Sequence, residues 1–301
     1  MIQVENLTYD YPGKRALDNL SFTIEKCSIT ALIGPNGAGK TTLLKCLSAL
    51  IPPFEGSIHM SGLDILKFPR TCHKTVGFLS DFFGLYDTLT VEQYLTYFAL
   101  ARKVQKNLVT QRVKQVTAQI RLMDKFTEKV GSLSRGMRQR LGLGQAMIHD
   151  PDVLLLDEPA SGLDPESRIA LAELFVTLNQ QGKTLIVSSH ILSELNQYAT
   201  DLLILKEGRI VETSLSARDP AKVKKLCVNL LNIPDNIEDM ITSAGFAAMP
   251  EISGNSLIFD FSGTDKDQSD LLKSLITAGF IVKEFYVKQE GVQEQYLKTI
   301  S

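Results

Sequence analysis

Cysteine is scarce in this 301-residue chain. Cys27, Cys46, Cys72 and Cys227 are scattered, with no C-x-x-C pair. That excludes a disulfide scaffold and a zinc site, and the four read as reduced thiols of a cytosolic protein. A surplus of charge is also missing: 32 Lys and Arg stand against 34 Asp and Glu, for a net charge of -2. This balance argues against a protein that coats nucleic acid. The opening Met1-Ile-Gln-Val-Glu-Asn has neither the basic start nor the apolar run of a secretory signal. Long hydrophobic runs are absent as well. Blocks such as Val153–Leu156 and Leu202–Leu205 fall far short of the roughly 20 residues that a membrane-spanning helix needs. Any work at a membrane is therefore expected from outside the bilayer. Repeats and low-complexity tracts are lacking, and 44% hydrophobic content excludes disorder. At about 150 residues per domain, the length points to two.

What is present is an alternation of strand and helix. Residues 1–60 read mostly as strands: Ser21–Ile24 alternates, and apolar Ile29–Ile33 runs into a glycine-rich turn. Thr41–Leu50 reads as a helix that ends before Pro52-Pro53, and Val76–Leu79 as a short strand. Thr90 and Gln93 form a capping-box pattern ahead of Tyr94, Tyr97, Phe98 and Ala101, which recur at helical spacing. A second helix is expected over about Val109–Met123. Val153–Leu156 and Leu185–Val187 are continuous apolar runs, as in parallel strands buried on both faces. Between them Asp164 is the expected N-cap, with Pro165 at N1 and Gly182 past the helix end. Leu202–Leu205 and Arg209–Val211 read as a hairpin. The polar stretch Thr213–Lys222 marks the best boundary. Beyond it lie strand-like Leu226–Leu231, helix-like Asn236–Ala244, strand-like Ser256–Phe261, helix-like Gln268–Ala278 and strand-like Ile281–Val287, which suggest a small α+β domain.

Two segments carry chemistry. Gly34-Pro35-Asn36-Gly37-Ala38-Gly39-Lys40-Thr41-Thr42 fits G-x-x-x-x-G-K-[ST] after a strand and before a helix. Its glycines let backbone N–H groups wrap phosphate oxygens, and the helix N-terminus favours the same anion. Lys40 then supplies a point charge, and Thr41 a hydroxyl for Mg²⁺. The second segment, Val153-Leu-Leu-Leu-Asp157-Glu158-Pro159, brings carboxylates to the end of an apolar strand, where ligands bind in such sheets. Asp157 suits Mg²⁺, through water, and Glu158 suits polarisation of an attacking water. Taken alone, each segment also has a plain reading, as a glycine-rich turn and a solvated Asp-Glu-Pro turn. Side by side they support each other.

Between the two stands Leu133-Ser134-Arg135-Gly136-Met137-Arg138-Gln139-Arg140, which resembles the L-S-G-G-Q signature of the ATP-binding-cassette (ABC) family. Tyr11 precedes the phosphate loop where the family's adenine-stacking aromatic lies. Ser161-Gly162-Leu163-Asp164 resembles the D-loop, and His190 the switch histidine. The likeness covers about residues 1–213. It implies an α/β fold, a P-loop NTPase core of ABC type with a helical subdomain at about 87–150. A linker at 214–222 and a C-terminal α+β accessory domain at 223–301 would follow. It also implies ATP and Mg²⁺ as ligands, and a head-to-tail pair of ATPase subunits, identical or different. ATP on Gly34–Thr42 of one would be closed over by Ser134 and Gly136 of the other. His190 would then contact the γ-phosphate and Tyr11 the adenine. Alone, Ser134 would equally be a simple helix cap and His190 a structural histidine.

The chain departs from the family pattern at three positions. Arg135 and Met137 replace a glycine-type residue and a glutamine. Arg135 either adds charge near the nucleotide or is solvated, and Met137 cannot make a glutamine's hydrogen bonds. Asp81, in Val76-Gly-Phe-Leu-Ser80-Asp81-Phe82-Phe83, stands where the family has a glutamine beside Mg²⁺. It either serves the metal, directly or through water, or caps a turn. Phe82 and Phe83 are candidates for contact with a membrane subunit, whereas Tyr94, Tyr97 and Phe98 are expected to be helix core. The resemblance thus implies an ATP-hydrolysing subunit, peripheral on the cytoplasmic face of a membrane. It would drive transport, export by analogy, through a separate transmembrane permease, with no nucleic-acid partner. The alternative is a soluble ABC ATPase that serves, for example, cofactor assembly. Only about ninety residues separate Thr41 from Leu133, without sustained heptads, which disfavours a repair-type relative with a long coiled coil.

Overall fold

The computed structural model describes residues 1–81, 84–189, 195, 197–214, 224–232, 251–261 and 264–288. The chain divides into two compact units, Met1–Ala217 with Tyr296–Ser301, and Arg218–Gln295.

The first unit is built on two sheets. One is antiparallel, in the order β2-β1-β4-β5, from β1 (Ile2–Tyr11), β2 (Lys14–Ile24), β4 (Glu55–Met60) and β5 (Leu63–Asp64). The other has six strands in the order β10-β9-β3-β8-β7-β6. Its parallel part comprises β3 (Ile29–Ile33), β6 (Val76–Leu79), β7 (Val153–Leu156), β8 (Thr184–Ser189) and β9 (Asp201–Lys206). Every residue of β3, β7 and β8 is buried, because helices and the antiparallel sheet leave no face of the parallel strands to water. The expected hairpin joins β9 to β10 (Arg209–Ser214), with Lys206 opposite Arg209. Glu207 and Gly208 both take positive φ, 51° and 76°, the two-residue turn whose twist matches the flanking strands. The core gathers Ile2, Val4, Leu17 and Leu20 of the antiparallel sheet, Leu43, Leu44 and Leu47 behind the glycine-rich turn, and Leu155 and Ile186 of the parallel sheet.

Local signals start and stop the helices. α1 spans Lys40–Leu47 and α2 spans Pro69–Thr75. α3 (Val91–Ala101) opens with the full Thr90/Gln93 capping box. α4 (Val109–Gln119) stops short of the expected Met123. Arg121 turns to φ 56°, the amides of Arg121 and Leu122 reach back to Ala118 and Thr117, and the Arg140 guanidinium donates to the carbonyls of Ile120 and Arg121. This satisfies the end of the helix and terminates it. α5 spans Arg135–Met147. α6 (Pro165–Gln180) starts as expected, with Asp164 accepting from the Ser167 amide at 2.9 Å. Bonds from that amide and from the Ser167 hydroxyl hold the Asp164 carboxyl below its ordinary pKa. Of the expected core aromatics, Tyr94 is fully buried and its hydroxyl donates to Gln145, but Tyr97 is 51% exposed and packs edge-on against Tyr86. Its position on α3 faces outward, a distinction that spacing of three and four cannot make on a wide apolar stripe.

In the second unit β12 (Glu251–Ser253), β13 (Ser256–Phe261), β11 (Lys224–Leu230) and β14 (Val282–Lys288) form one antiparallel sheet. Helix α7 (Asp265–Thr277) contributes Leu275 to a core with Leu226, Val228, Leu257, Phe259 and Phe280. The helix begins three residues before the expected Gln268, because Thr264 and Asp267 form a capping box. The helix expected at Asn236–Ala244 lies outside the described residues. Among the described residues, no helix is long and apolar enough to cross a membrane. All four cysteines are free thiols, and burial pushes Cys46 up to about 12 and Cys72 up to about 11.

One buried group makes stability depend on pH. The His149 Nε2 lies 3.1 Å from the Val76 carbonyl, which can only accept, so that nitrogen carries the proton. Nδ1 is buried without a partner. Burial, reinforced by the Arg102 guanidinium, lowers the imidazole to about 4. An unfolded histidine titrates near 6.5. Between about pH 4 and 6.5 the unfolded chain therefore binds more protons. Stability is full above pH 6.5 and falls as pH drops through that window. The shift corresponds to about 3 kcal/mol at face value and about 2 kcal/mol once partial exposure of the ring is discounted. Thermal melts from pH 7 to 4.5 should show a steeper loss of Tm in the native chain than in His149→Gln. Parallel slopes in the two proteins would remove His149 as the cause.

Candidate nucleotide site

The five parallel strands all end at one edge of the six-stranded sheet. The glycine-rich turn leaves β3 there, Asp157 follows β7, and Asp81 lies two residues beyond β6, whose Leu79 is paired with Leu156. Ser189 ends β8 in register with Ile33. His190, the next residue, lies outside the described residues, as do Phe82 and Phe83.

The turn is wound tightly. Gly39 has φ 110°, and a Cβ there would sit 2.6 Å from the Ala16 carbonyl oxygen, so no larger residue fits. The Ala38 amide donates to Pro35 at 3.1 Å. Among the described residues, the amides of Gly37 and Gly39 and those opening α1 reach no backbone carbonyl outside that helix. They are the orphan donors of a helix start, and anions bind to such donors. Pro35, Asn36, Gly37 and Thr41 are exposed, whereas Gly34, Ala38 and Thr42 are buried. The turn thus presents one rim to solvent.

Lys40 crosses this turn. It is 6% exposed, and its Nζ donates to the Gly34 carbonyl at 2.7 Å and to that of Pro35 at 3.4 Å. The same nitrogen lies 3.5 Å from Glu158 Oε1. The two motifs therefore meet at one ion pair. Glu158 has φ 48°, a conformation that side chains seldom adopt and that clusters at functional sites. A hydroxyl from the neighbouring strand holds it: Ser188 Oγ accepts from the Glu158 amide at 2.8 Å and donates to Asp157 Oδ1 at 2.7 Å. Ser188 escaped the sequence reading. Two serines, Ser188 and Ser189, that end a fully buried strand are the signal that would have found it. Asp157 is 1% exposed, and its Oδ2 has no hydrogen-bond partner. A buried carboxylate oxygen left without a donor is costly, so the donor set fits a hard cation bound also by water and phosphate. Among the described residues no group of three or more His, Cys, Asp or Glu side chains that could hold a metal exists.

Tyr11, 42% exposed at the end of β1, brings its hydroxyl to Thr42, whose Oγ1 donates across 3.5 Å. It stands edge-on to Tyr9 at 4.9 Å. Ser134 is the N-cap of α5, accepting from the Met137 amide at 3.3 Å, and Gly136 is buried in its first turn. Among the described residues, no hydrogen bond or ion pair joins Ser134–Gly136 to Gly34–Thr42. The two halves of the expected site are not brought together by this chain's own contacts. Arg135 is exposed, and its guanidinium also donates to the Ser161 carbonyl at 3.1 Å, a contact that neither expected role included.

The family model described as ABC transporter matches residues 17–161. The ABC transporter ATP-binding protein NatA of Bacillus subtilis is 33% identical over 198 residues, covering 65% of this chain and 80% of that protein. The Nod factor export ATP-binding protein I of Burkholderia pseudomallei is 34% identical over 257 residues, 85% of this chain and 84% of its own length. A solved ATP-binding subunit of an ABC transporter matches with a TM-score of 0.65 at 28% identity, covering 73% of this chain and 91% of that one. Phosphate-loop lysine, strand-end carboxylates and these likenesses lead to one conclusion: the chain belongs to the ABC transporter family, as an ATP-binding subunit.

Proposed function

We propose that this subunit hydrolyses Mg·ATP to drive transport, in the export direction, through a permease carried on a separate chain. The observation that carries the hydrolytic part is the meeting of Lys40 Nζ and Glu158 Oε1 at 3.5 Å beside the unpartnered Asp157 Oδ2. Lys40 and the amides of Gly37–Thr42 bind the phosphates, and Tyr11 flanks the adenine. Asp157, with Thr41 and Asp81, would hold Mg²⁺, whose charge offsets that of the phosphates when bound. A phosphate that competes for the Lys40 ammonium draws it from Glu158. The Glu158 carboxylate then orients the attacking water and accepts its proton at Oε1. His190 contacts the γ-phosphate in this reading.

The same proposal assigns residues 1–213 to the ATPase domain, 87–150 to its helical subdomain, 214–222 to a linker and 223–301 to an accessory domain. Ser134 and Gly136 complete the nucleotide site of a second ATPase subunit. The N-cap position of Ser134 at the start of α5, where no bond to Gly34–Thr42 is made among the described residues, supports that pairing. Export is supported by the likeness to a protein named for Nod factor export. A permease partner places the subunit on the cytoplasmic face of a membrane.

Purification from membranes without salt stripping tests the coupling. A stoichiometric, strongly apolar second chain is expected to accompany the ATPase. Full recovery in the soluble fraction, without a partner, would instead support the soluble-ATPase alternative.

A further inference from the structure

One side chain ties the start of α5 to the turn that follows Glu158. The Arg135 Nη2 donates to the Ser161 carbonyl at 3.1 Å. The guanidinium also lies over Gly162: a Cβ there would fall 2.2 Å from Nη2, 2.3 Å from Cζ and 2.6 Å from Nη1. Gly162 has φ 65°, so the backbone turns its bare side to the guanidinium. The contacted segment leads back to Glu158. The Ser161 amide donates to the Glu158 carbonyl at 3.1 Å, and the Leu163 amide to that of Ala160 at 3.3 Å. Residues 158–163 are thus linked turns that begin at a strained catalytic candidate and end at the Asp164 cap of α6.

A second contact closes the seam. Gly136 faces Ser167 so closely that a Cβ would meet its hydroxyl oxygen at 2.4 Å, and that hydroxyl donates to Asp164 at 2.7 Å. This second contact is steric. Arg135 supplies the directed bond, and it does so to a backbone carbonyl that no substitution in the turn can remove.

We infer that Arg135 is a positioning residue for Glu158, latching the 158–163 turn to the first turn of α5 so that displacement of one moves the other. The inference rests on the reading of Glu158 as the group that activates water. The guanidinium acts on a backbone carbonyl within its own chain. Its effect therefore falls on the chemical step, where small misplacements are heavily penalised, and not on nucleotide affinity.

The test is steady-state ATP hydrolysis by the full chain, with affinity for trinitrophenyl-ATP and thermal melting measured on the same preparations. Arg135→Ala should lower kcat about tenfold, with KM and analogue affinity within about twofold. Arg135→Lys, which can still donate to Ser161, should recover kcat to within about threefold of the native chain. Gly162→Ala should lower kcat by about tenfold or more in the native chain, yet by about threefold when added to Arg135→Ala, where the clash with the guanidinium is gone and only the strain of a side chain at φ 65° remains. Unchanged kcat in Arg135→Ala, or fully multiplicative losses in the double variant, would overturn the latch. Raised KM and weakened analogue binding at constant kcat would overturn it too and would put the guanidinium on nucleotide. If Glu158→Gln still turns over ATP, the water-activation reading falls and takes the latch with it. If Glu158→Gln is dead and Arg135→Ala behaves as the native chain, the latch alone falls.

Discussion

Glu158→Gln should lower kcat for ATP by about 10²–10⁴-fold while leaving ATP affinity within about threefold. The substitution is nearly isosteric. The backbone amide of residue 158 keeps its bond to Ser188 Oγ, so the φ of 48° and the strand end survive. Lys40 keeps its bonds to the Gly34 and Pro35 carbonyls and remains available to phosphate. What disappears is the negative charge that accepts a proton. Loss of the 3.5 Å ion pair also releases the ammonium from a competing anion, so affinity for ATP should hold or rise slightly. With chemistry blocked and binding retained, an ATP-held pair of subunits should accumulate on size-exclusion chromatography. Near-native turnover in this variant would sink the assignment of Glu158.

The sequence exposed the parts of the site that chemistry writes into residue type, and hid those that depend on approach. The glycine-rich turn, Lys40, Asp157 and Glu158 were legible because phosphate binding needs glycine and lysine at fixed spacing after a buried strand. The continuous apolar runs at Ile29–Ile33, Val153–Leu156 and Leu185–Val187 were legible for the same reason: parallel strands are dry on both faces. Thr90, Gln93, Asp164 and Pro165 announced their helix starts. The end of α4 was not legible, because a guanidinium nineteen to twenty residues away caps it. Ser188 was missed because its partners, Asp157 and the Glu158 amide, lie just past the end of another strand, 30 to 31 residues away in sequence. Arg135 offered two readings from the sequence, solvated or beside nucleotide, and neither foresaw a carbonyl 26 residues downstream. Tyr97 shows the limit of periodicity: its spacing matched that of buried Tyr94, yet it faces outward.

Lys40→Met should weaken ATP binding by about 10²-fold or more and remove measurable turnover. Methionine keeps the buried stem's volume and apolar packing while deleting the charge. At an effective dielectric of about 20, a unit charge about 4 Å from an anion contributes about 4 kcal/mol, or about 10³-fold in affinity. The orphan amides of the turn remain, and their share of the binding keeps the loss below that of the whole site. The fold should tolerate the change only moderately. Lys40 is 7% and Glu158 16% exposed in their side chains, so removing the ammonium takes the 3.5 Å ion pair from a largely buried carboxylate. Part of that penalty should vanish in Lys40→Met/Glu158→Gln, which carries neither charge. The double variant should therefore melt above Lys40→Met while binding ATP no better. Calorimetric titration with Mg·ATP and thermal melts of the three proteins separate the two effects. ATP affinity within threefold of native in Lys40→Met would leave the phosphate held by the backbone amides alone. A double variant that melts at or below Lys40→Met would mean that the 3.5 Å pair contributes nothing to holding the two motifs together.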